Sequence, residues 1–350
     1  MQIIVWNSKW PRSLAKAVAV CVATAGVTAE AAQHGIDPSD MNKQAAACTD
    51  FFDYANGSWR ASHPIPDYMD RWSRRWESGE INKEHVRDIL ADLAKKQDWP
   101  TGSPEQLSGD FYAACVDEPQ VNAMGLKPAQ PQLDEIDAIK SKADVERVIA
   151  HLHDIGVGVP FALYAAQDLH DPTQMVANIT ASGLGMPDRD YYLKTEPRFV
   201  EARAKYLVHV QKMFELAGAK PAAAKADAAT VFAFEKRLAE ASLDNVALRD
   251  PKQQDHKTKF SDLPTLAADF DWATYFDATK IPHSDLNVTQ PKFLQAFDKE
   301  LKSTPIPQWK TYLRWQVLNA AADSLSMPFV EENFAFNGKY LTGATEMKPR

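Results

Sequence analysis

The nine histidines of the chain are the first residues to examine for hydrolytic chemistry. The commonest zinc hydrolases place two histidines four residues apart on a helix with a glutamate between them, so that both imidazoles face one metal and the carboxylate activates its water. None of the nine histidines is followed by glutamate, and the inverted HxxEH arrangement is missing too. His151 and His153 lie two residues apart, which turns them to different faces of a helix. We expect both at the surface.

Other hydrolytic signatures are also missing. The sequence has no GxSxG elbow, and its Gly-rich piece SGLGMP lacks the features that cradle phosphates. Asp188 and Asp190 have the residue type of an acid pair for glycoside chemistry. A capped helix or turn beside Pro187 is the better supported interpretation, because acidic residues commonly occupy first turns. The residues alone therefore assign no catalytic group and no bound cofactor.

Basic and aromatic residues alternate in DRWSRRWESGE. Arg71, Arg74 and Arg75 beside Trp72 and Trp76 could bind an anion such as a peptide carboxylate through a bidentate guanidinium. They could equally form a solvated basic turn, and composition alone favours the turn.

The N-terminus has the features of an export signal. Lys9, Arg12 and Lys16 precede an apolar run over residues 17–27, and AEA at residues 29–31 offers small residues at the signal-peptidase spacing. The run is shorter than the about 20 residues that span a bilayer, which predicts no membrane span. We predict a signal peptide over 1–31, a linker over 32–47 and an exported protein, periplasmic or extracellular.

Length and charge limit the remaining classes. The chain has 350 residues, 45% of them apolar, so it can bury a large core in one large or two ordinary domains. Its formal net charge is −8. An acidic body repels phosphate backbones, which argues against nucleic acid as a partner.

The periodicity of the chain predicts a mainly α, multi-helix domain with a small β-hairpin. Two alternating runs flank a DPTQ turn between residues 159 and 182, which predicts the hairpin, and SGLGMP directly after it predicts a tight backbone turn. The apolar stripes expected to pack into the core contain Leu107, Phe111 and Ala114; Val145, Val148, Ile149, Leu152 and Ile155; Leu207, Val210, Phe214 and Ala217; Val231, Phe234, Leu238 and Ala241; and Leu294, Phe297 and Leu301. Ser141 and Asp144 stand at capping-box spacing before the second of these stripes.

Removing the signal peptide leaves two cysteines, Cys48 and Cys115. In an oxidising compartment they could bond to each other or to other partners, and two buried free thiols are an equally open alternative.

Several motifs together resemble one family. CTDFFDYANGSW, PIP, DRW, GDFYAACVDE, LGMPDRDYYL, LNVTQPKFLQAF, YLRWQVLNAAADSLS and FVEENFAFNGKYLTGATEMKPR occur in the order and at the spacing of the neprilysin-like (M13) zinc endopeptidases. The resemblance spans nearly the whole chain after residue 47. It implies that residues 48–350 form the N-terminal domain, which in that family caps the catalytic chamber and restricts access to small peptides.

The resemblance also implies what these residues lack. In the family, HExxH and a downstream ExxxD supply the zinc ligands and the general base in a C-terminal region that lies beyond Arg350. Family cysteines matching Cys48 and Cys115 tend to pair with that region. Arg71 matches an arginine that can contact the C-terminal carboxylate of the substrate. Arg75 and Ser78 depart from the family pattern, which puts the neighbouring pocket wall in doubt.

Two functions follow from this reading. In the first, the chain is the N-terminal region of an exported zinc metalloendopeptidase, inactive alone, with small peptides and a missing or separately encoded catalytic domain as partners. In the second, it is a stand-alone, catalytically dead peptide-binding module. A self-sufficient module should bury Phe334, Phe336 and Tyr340, whereas a fragment should expose an apolar patch.

Overall fold

The computed structural model describes residues 37–348, which are mainly helical, as expected. The predicted signal peptide lies outside the described residues. The chain divides between Ile65 and Pro66 into two compact units. The predicted boundaries of the linker and the domain stay predictions.

The helices are α1 (Phe51–Ser62), α2 (Arg74–Lys95), α3 (Pro104–Val116), α4 (Glu118–Met124), α5 (Gln130–Asp137), α6 (Lys142–Asp154), α7 (Asp190–Leu193), α8 (Pro197–Leu216), α9 (Pro221–Ala241), α10 (Leu263–Leu266), α11 (Trp272–Ala278), α12 (Pro291–Ser303), α13 (Ile306–Ala321) and α14 (Met327–Asn333).

The first unit is built around α1. Asp50 caps this helix, since its side chain accepts the N–H of Asp53 at 2.9 Å. Trp59 is buried, and its ring stacks on His63 with centroids 4.7 Å apart.

The core of the second unit is formed by the expected faces of α6, α8, α9 and α12, together with α13, for which no stripe was predicted. Val148, Val210, Phe234 and Phe297 are all fully buried in one apolar cluster. The predicted capping box at the start of α6 is present: Ser141 accepts the Asp144 N–H, and the Asp144 carboxylate accepts the Ser141 N–H. Sequence periodicity therefore located α6, α8, α9 and α12 and the faces that they bury.

The predicted hairpin is confirmed and belongs to a larger sheet. Strands β1 (Phe161–Gln167) and β2 (Met175–Ala181) pair antiparallel, with Phe161 opposite Ala181. Two short strands, β3 (Lys257–Thr258) and β4 (Leu286–Val288), complete a sheet of order β1-β2-β4-β3. β4 runs parallel to β2 and pairs with it only at Asn178 and Ile179.

The stripe expected to bury α3 is exposed, which corrects the sequence prediction. Leu107 is 60% and Phe111 is 74% exposed, and Gly109 is the one buried residue of the helix. A Cβ at Gly109 would lie 2.9 Å from the backbone of Leu93, so α2 and α3 pack closely together through this glycine. Within the described residues, their apolar outer faces are left in solvent.

The last described segment packs into the second unit. After α14 the chain continues as a π-helix, Phe334–Thr342, and ends at Gly343 with φ +84°. Phe336 is 4% exposed and stacks on His209 with centroids 4.9 Å apart. Phe334 and Tyr340 are half-buried.

No helix between residues 37 and 348 is both long and apolar enough to cross a bilayer.

Candidate functional site

Arg71 lies in the segment that leads into α2. Ser73 caps the helix by accepting the N–H of Trp76 at 3.4 Å, so the chain turns from extended to helical two residues after Arg71. The Arg71 guanidinium lies 5.7 Å from the centroid of the Trp76 ring. Its side chain is 65% exposed and therefore available to a ligand.

The guanidinium of Arg71 already contacts one carboxylate. Nε lies 3.2 and 3.1 Å from the two oxygens of Asp70, and Nη2 lies 2.7 Å from Oδ2. The hydrogen bond from Arg71 lowers the pKa of Asp70, and the same bond raises the pKa of Arg71. A guanidinium has five N–H donors. The edge formed by Nη1 and Nη2 still has donors for a second carboxylate.

The last described residues form hydrogen bonds with the segment before α2, in which Arg71 lies, and with α2 itself. The main-chain N–H groups of Thr345 and Glu346 donate to the carbonyl oxygen of Asp67 at 2.8 and 3.2 Å. Lys348 contacts the carboxylate of Glu80, which is 8% exposed. The hydrogen bond from Lys348 is the main cause that lowers the pKa of Glu80, and Lys83 adds to it.

The described residues do not fit a zinc ion. Among residues 37–348, no group of three or more His, Cys, Asp and Glu side chains is placed to hold a metal.

His153 is partly buried and both of its ring nitrogens have partners, which corrects the prediction of a surface residue. Its Nδ1 lies 2.5 Å from the hydroxyl of Tyr275, and its Nε2 lies 3.1 Å from the main-chain N and O of Val159. Burial lowers its pKa to about 4. His151 is also partly exposed, and its Nε2 lies 3.6 Å from a carboxylate oxygen of Glu135. Both histidines are structural.

The two aspartates after the Gly-rich loop form a turn, as the preferred interpretation stated. Asp188 Oδ1 accepts the N–H of Asp190 at 2.7 Å, and Asp190 begins α7. The Asp190 carboxylate also pairs with Lys194 at 2.9 Å. Their oxygens are engaged in local structure.

A fully buried carboxylate, Glu235, was missed from the sequence. Its oxygens accept hydrogen bonds from Tyr206 at 2.7 Å, Tyr192 at 2.9 Å, Trp315 at 3.0 Å and Gln316 at 3.1 Å. Burial raises the pKa of Glu235 to about 7 in spite of these donors. One signal was available: Glu235 sits inside the apolar stripe of α9.

Cys48 and Cys115 are both free and exposed. Neither the mutual bond nor the pair of buried thiols considered above is present.

Comparisons with known proteins agree with this architecture. The sequence model of peptidase family M13 matches residues 47–350. Endothelin-converting enzyme 1 of Cavia porcellus is 26% identical over 320 residues, which cover 85% of this chain and 40% of that protein. The inhibitor complex of Mycobacterium tuberculosis zinc metalloprotease Zmp1 is 30% identical with a TM-score of 0.82, over 89% of this chain and 48% of Zmp1. PepO from Lactobacillus rhamnosis HN001 shares the fold at 18% identity, with a TM-score of 0.69 over 87% of this chain and 48% of PepO.

The helical fold with its small sheet is thus that of the N-terminal portion of neprilysin-like metallopeptidases. The chain belongs to peptidase family M13, whose members are zinc metallopeptidases. It spans about 40% of the length of the curated relatives that it matches and about half of the solved structures.

Proposed function

We propose that this chain is the N-terminal region of an exported, neprilysin-like zinc metalloendopeptidase that hydrolyses small peptides. The observation that carries the proposal is the match to family M13 over residues 47–350, in a fold that superposes on about half of Zmp1. Zinc and the residues that activate water belong to the catalytic region of the complete enzyme. The 350 residues contain no HExxH, so the chain alone binds no catalytic zinc and cleaves no peptide.

The role of Arg71 in this proposal is to bind the C-terminal carboxylate of a peptide. Its guanidinium is exposed and keeps donors beyond those used by Asp70. Bidentate pairing of arginine with a carboxylate gives both strength and orientation. Asp70 then acts as a positioning residue, because it holds the side chain through Nε.

The proposed partner of the chain is the catalytic domain. The outer face of α2 and α3 is the surface that we expect to contact it. Large apolar side chains recur on both helices, and along α2 only Glu80 is buried. Exposed apolar faces of this kind mark interaction surfaces. The exposed large apolar residues of the two helices are Trp76, Ile81, Val86, Ile89, Leu107, Phe111 and Val116.

The second candidate, a stand-alone peptide-binding module without catalysis, has one observation in its favour. Phe336 is buried, and Phe334 and Tyr340 are half-buried within the chain itself. The end of the described chain is therefore not the apolar patch expected of a fragment. Reading the coding DNA past the codon for Arg350 separates the two candidates. An in-frame HExxH supports the peptidase, and its absence favours the module.

Export is supported by the basic residues, the apolar run and the AEA site at the N-terminus. The protein then acts in the periplasm or outside the cell. N-terminal sequencing of the protein from its native host tests this. A mature chain that begins at residue 32 is expected, and a chain that keeps residues 1–31 would contradict it.

The peptide-binding role is tested in a chimera in which residues 47–350 replace the matching part of Zmp1. The Arg71→Ala variant should raise KM for peptides with a free C-terminal carboxylate by about tenfold, the effect of losing one charge-assisted hydrogen bond. C-terminally amidated peptides should be affected much less. The Arg147→Ala variant is the matched control, since Arg147 is a similarly exposed arginine that pairs with a carboxylate, Asp144, at 2.9 Å. Equal losses for both kinds of peptide would remove Arg71 from the site.

A further inference from the structure

The loop between β2 and α7 borders an open cleft of about 280 Å³. Apolar side chains of Leu184, Met186 and Leu248 line it, together with the polar side chains of Arg189 and Gln290. The loop carries the LGMPDRDYYL motif, to which the proposed function gives no role.

Arg189 has donors without acceptors. Its Nε is fully buried and makes no hydrogen bond, and none of its other nitrogens donates to an acceptor among residues 37–348. Buried donors without a partner are rare in folded proteins. Arg203 shows the usual outcome nearby, because its Nη1 donates to the carbonyl oxygens of Tyr191 at 2.9 Å and Lys194 at 2.8 Å.

Gln290 adds a second free donor to the same cleft. The residue is 7% exposed, and its Oε1 accepts the main-chain N–H of Leu243 at 2.7 Å. That bond fixes which end of the amide is the oxygen. The NH2 group therefore faces away from Leu243, and it donates to no group in the part of the chain that the structure describes.

The charges around the cleft favour a neutral ligand. Asp188 accepts the main-chain N–H of Asp190 and the side-chain amide of Asn245 from the loop after α9, and Asp244 accepts the main-chain N–H groups of Val246 and Ala247. Lys194 is paired with Asp190. The cleft thus has one unpaired guanidinium, that of Arg189, and two carboxylates, those of Asp188 and Asp244. Its net charge is therefore negative and would repel an incoming anion. A carbonyl oxygen can accept from Arg189 and Gln290 without that penalty.

The sheet beside the cleft favours a peptide as the source of the carbonyl. β4 pairs with β2 only at Asn178 and Ile179. At Ala181, which lines the cleft, no described strand lies on that side of β2. Extended peptides add to open strand edges of this kind. We propose that this cleft binds an extended peptide main chain whose carbonyl oxygens accept hydrogen bonds from Arg189 and Gln290.

Titration of the purified chain with N-acetyl-trialanine-N-methylamide tests the proposal. In a chain labelled with ¹⁵N at the arginine Nε, the Nε–H signal of Arg189 should shift saturably as the probe is added. Gln290→Glu keeps the oxygen that accepts the Leu243 N–H but loses the NH2 donor. It should weaken binding by about tenfold, as should Arg189→Lys. Arg203→Lys, whose parent arginine is already satisfied, should bind as the wild type.

Two results would overturn the proposal. One is the absence of a saturable shift in the folded wild-type chain, or equal binding by Gln290→Glu. The other is a shift with sodium acetate but none with the peptide, which would make the cleft an anion site. If Arg189→Lys fails to fold, the Nε–H shift of the wild type and the affinity of Gln290→Glu still show whether the proposal holds. The probe is bound and not cleaved, so this outcome is independent of the peptidase assignment.

Discussion

Two titratable residues, the partly buried His153 and the fully buried Glu235, give the stability opposite dependences on pH. Burial lowers the pKa of His153 to about 4 from 6.5, and it raises the pKa of Glu235 to about 7 from 4.5. The folded state therefore keeps both side chains neutral at mildly acidic pH. His153 contributes stability that is present above pH 6.5 and is lost as the pH falls toward 4. Glu235 contributes stability that is present below pH 4.5 and is lost as the pH rises through 7.

Replacing His153 should remove its contribution to the pH dependence of stability and leave that of Glu235. We expect His153→Gln to lower the free energy of unfolding more at pH 7 than at pH 4, by about 3 kcal/mol. Urea unfolding of the wild type and the variant at several pH values measures this difference. Glu235→Gln should show the opposite trend. A destabilisation by His153→Gln that does not change with pH would mean that His153 titrates normally in the folded chain.

Among the structural elements, the Gly-rich loop between β2 and α7 can adopt its path only because two of its residues have no side chain. Gly183 has φ +80°, and a Cβ there would lie 2.1 Å from the Tyr312 hydroxyl. That hydroxyl donates to the Gly183 carbonyl oxygen at 2.9 Å. A Cβ at Gly185 would lie 2.0 Å from the hydroxyl of Tyr206, which donates to Glu235. The two glycines thus let the loop approach the buried polar cluster.

Gly183→Ala should therefore destabilise the fold by about 3 kcal/mol or more, because overpacking adds to the strain of a positive φ. Gly218→Ala is the matched control: its φ is +95°, but nothing lies within 4 Å of its Cβ position. That variant should lose only about 1–2 kcal/mol, the cost of the positive φ alone. Thermal or urea unfolding measures both, and equal losses would mean that the loop has room to relax.

On the exposed face of α3, in contrast, we expect a substitution to have little effect on stability. Phe111→Ala should change the stability of the chain alone by at most about 0.5 kcal/mol, as for surface substitutions generally. Phe234→Ala, in the core, should cost about 3–5 kcal/mol. Urea unfolding of the two variants checks this contrast. A large loss from Phe111→Ala would show that α3 is packed within this chain and would remove it from the proposed partner surface.

The sequence predicted the elements whose determinants are local. The β1–β2 hairpin followed from alternation around DPTQ, and α6 followed from the Ser141 capping box. β3 and β4 were not predicted, because strands of two and three residues have no pattern of their own. His153 was misplaced because α11, far along the chain, supplies the Tyr275 that covers it. The α3 stripe was apolar, as read, but periodicity does not say whether a partner for it exists within these residues. The role of Arg71 stays a prediction.

In the proposed enzyme, peptidase function is divided between two regions of the whole molecule. The described residues supply the fold of the M13 N-terminal region, an exposed arginine and an apolar outer face. They bring together no group of metal ligands between residues 37 and 348. On this account, the catalytic region must supply zinc, its ligands and the general base.

The most direct test is an assay of the purified 350-residue chain on fluorogenic small peptides, with added zinc and with or without a chelator. We expect no cleavage above the buffer rate in either condition, and zinc-dependent cleavage by the Zmp1 chimera assayed beside it. Chelator-sensitive hydrolysis by the pure chain would require a zinc site within these residues, and the proposed division of function between two regions would then be wrong.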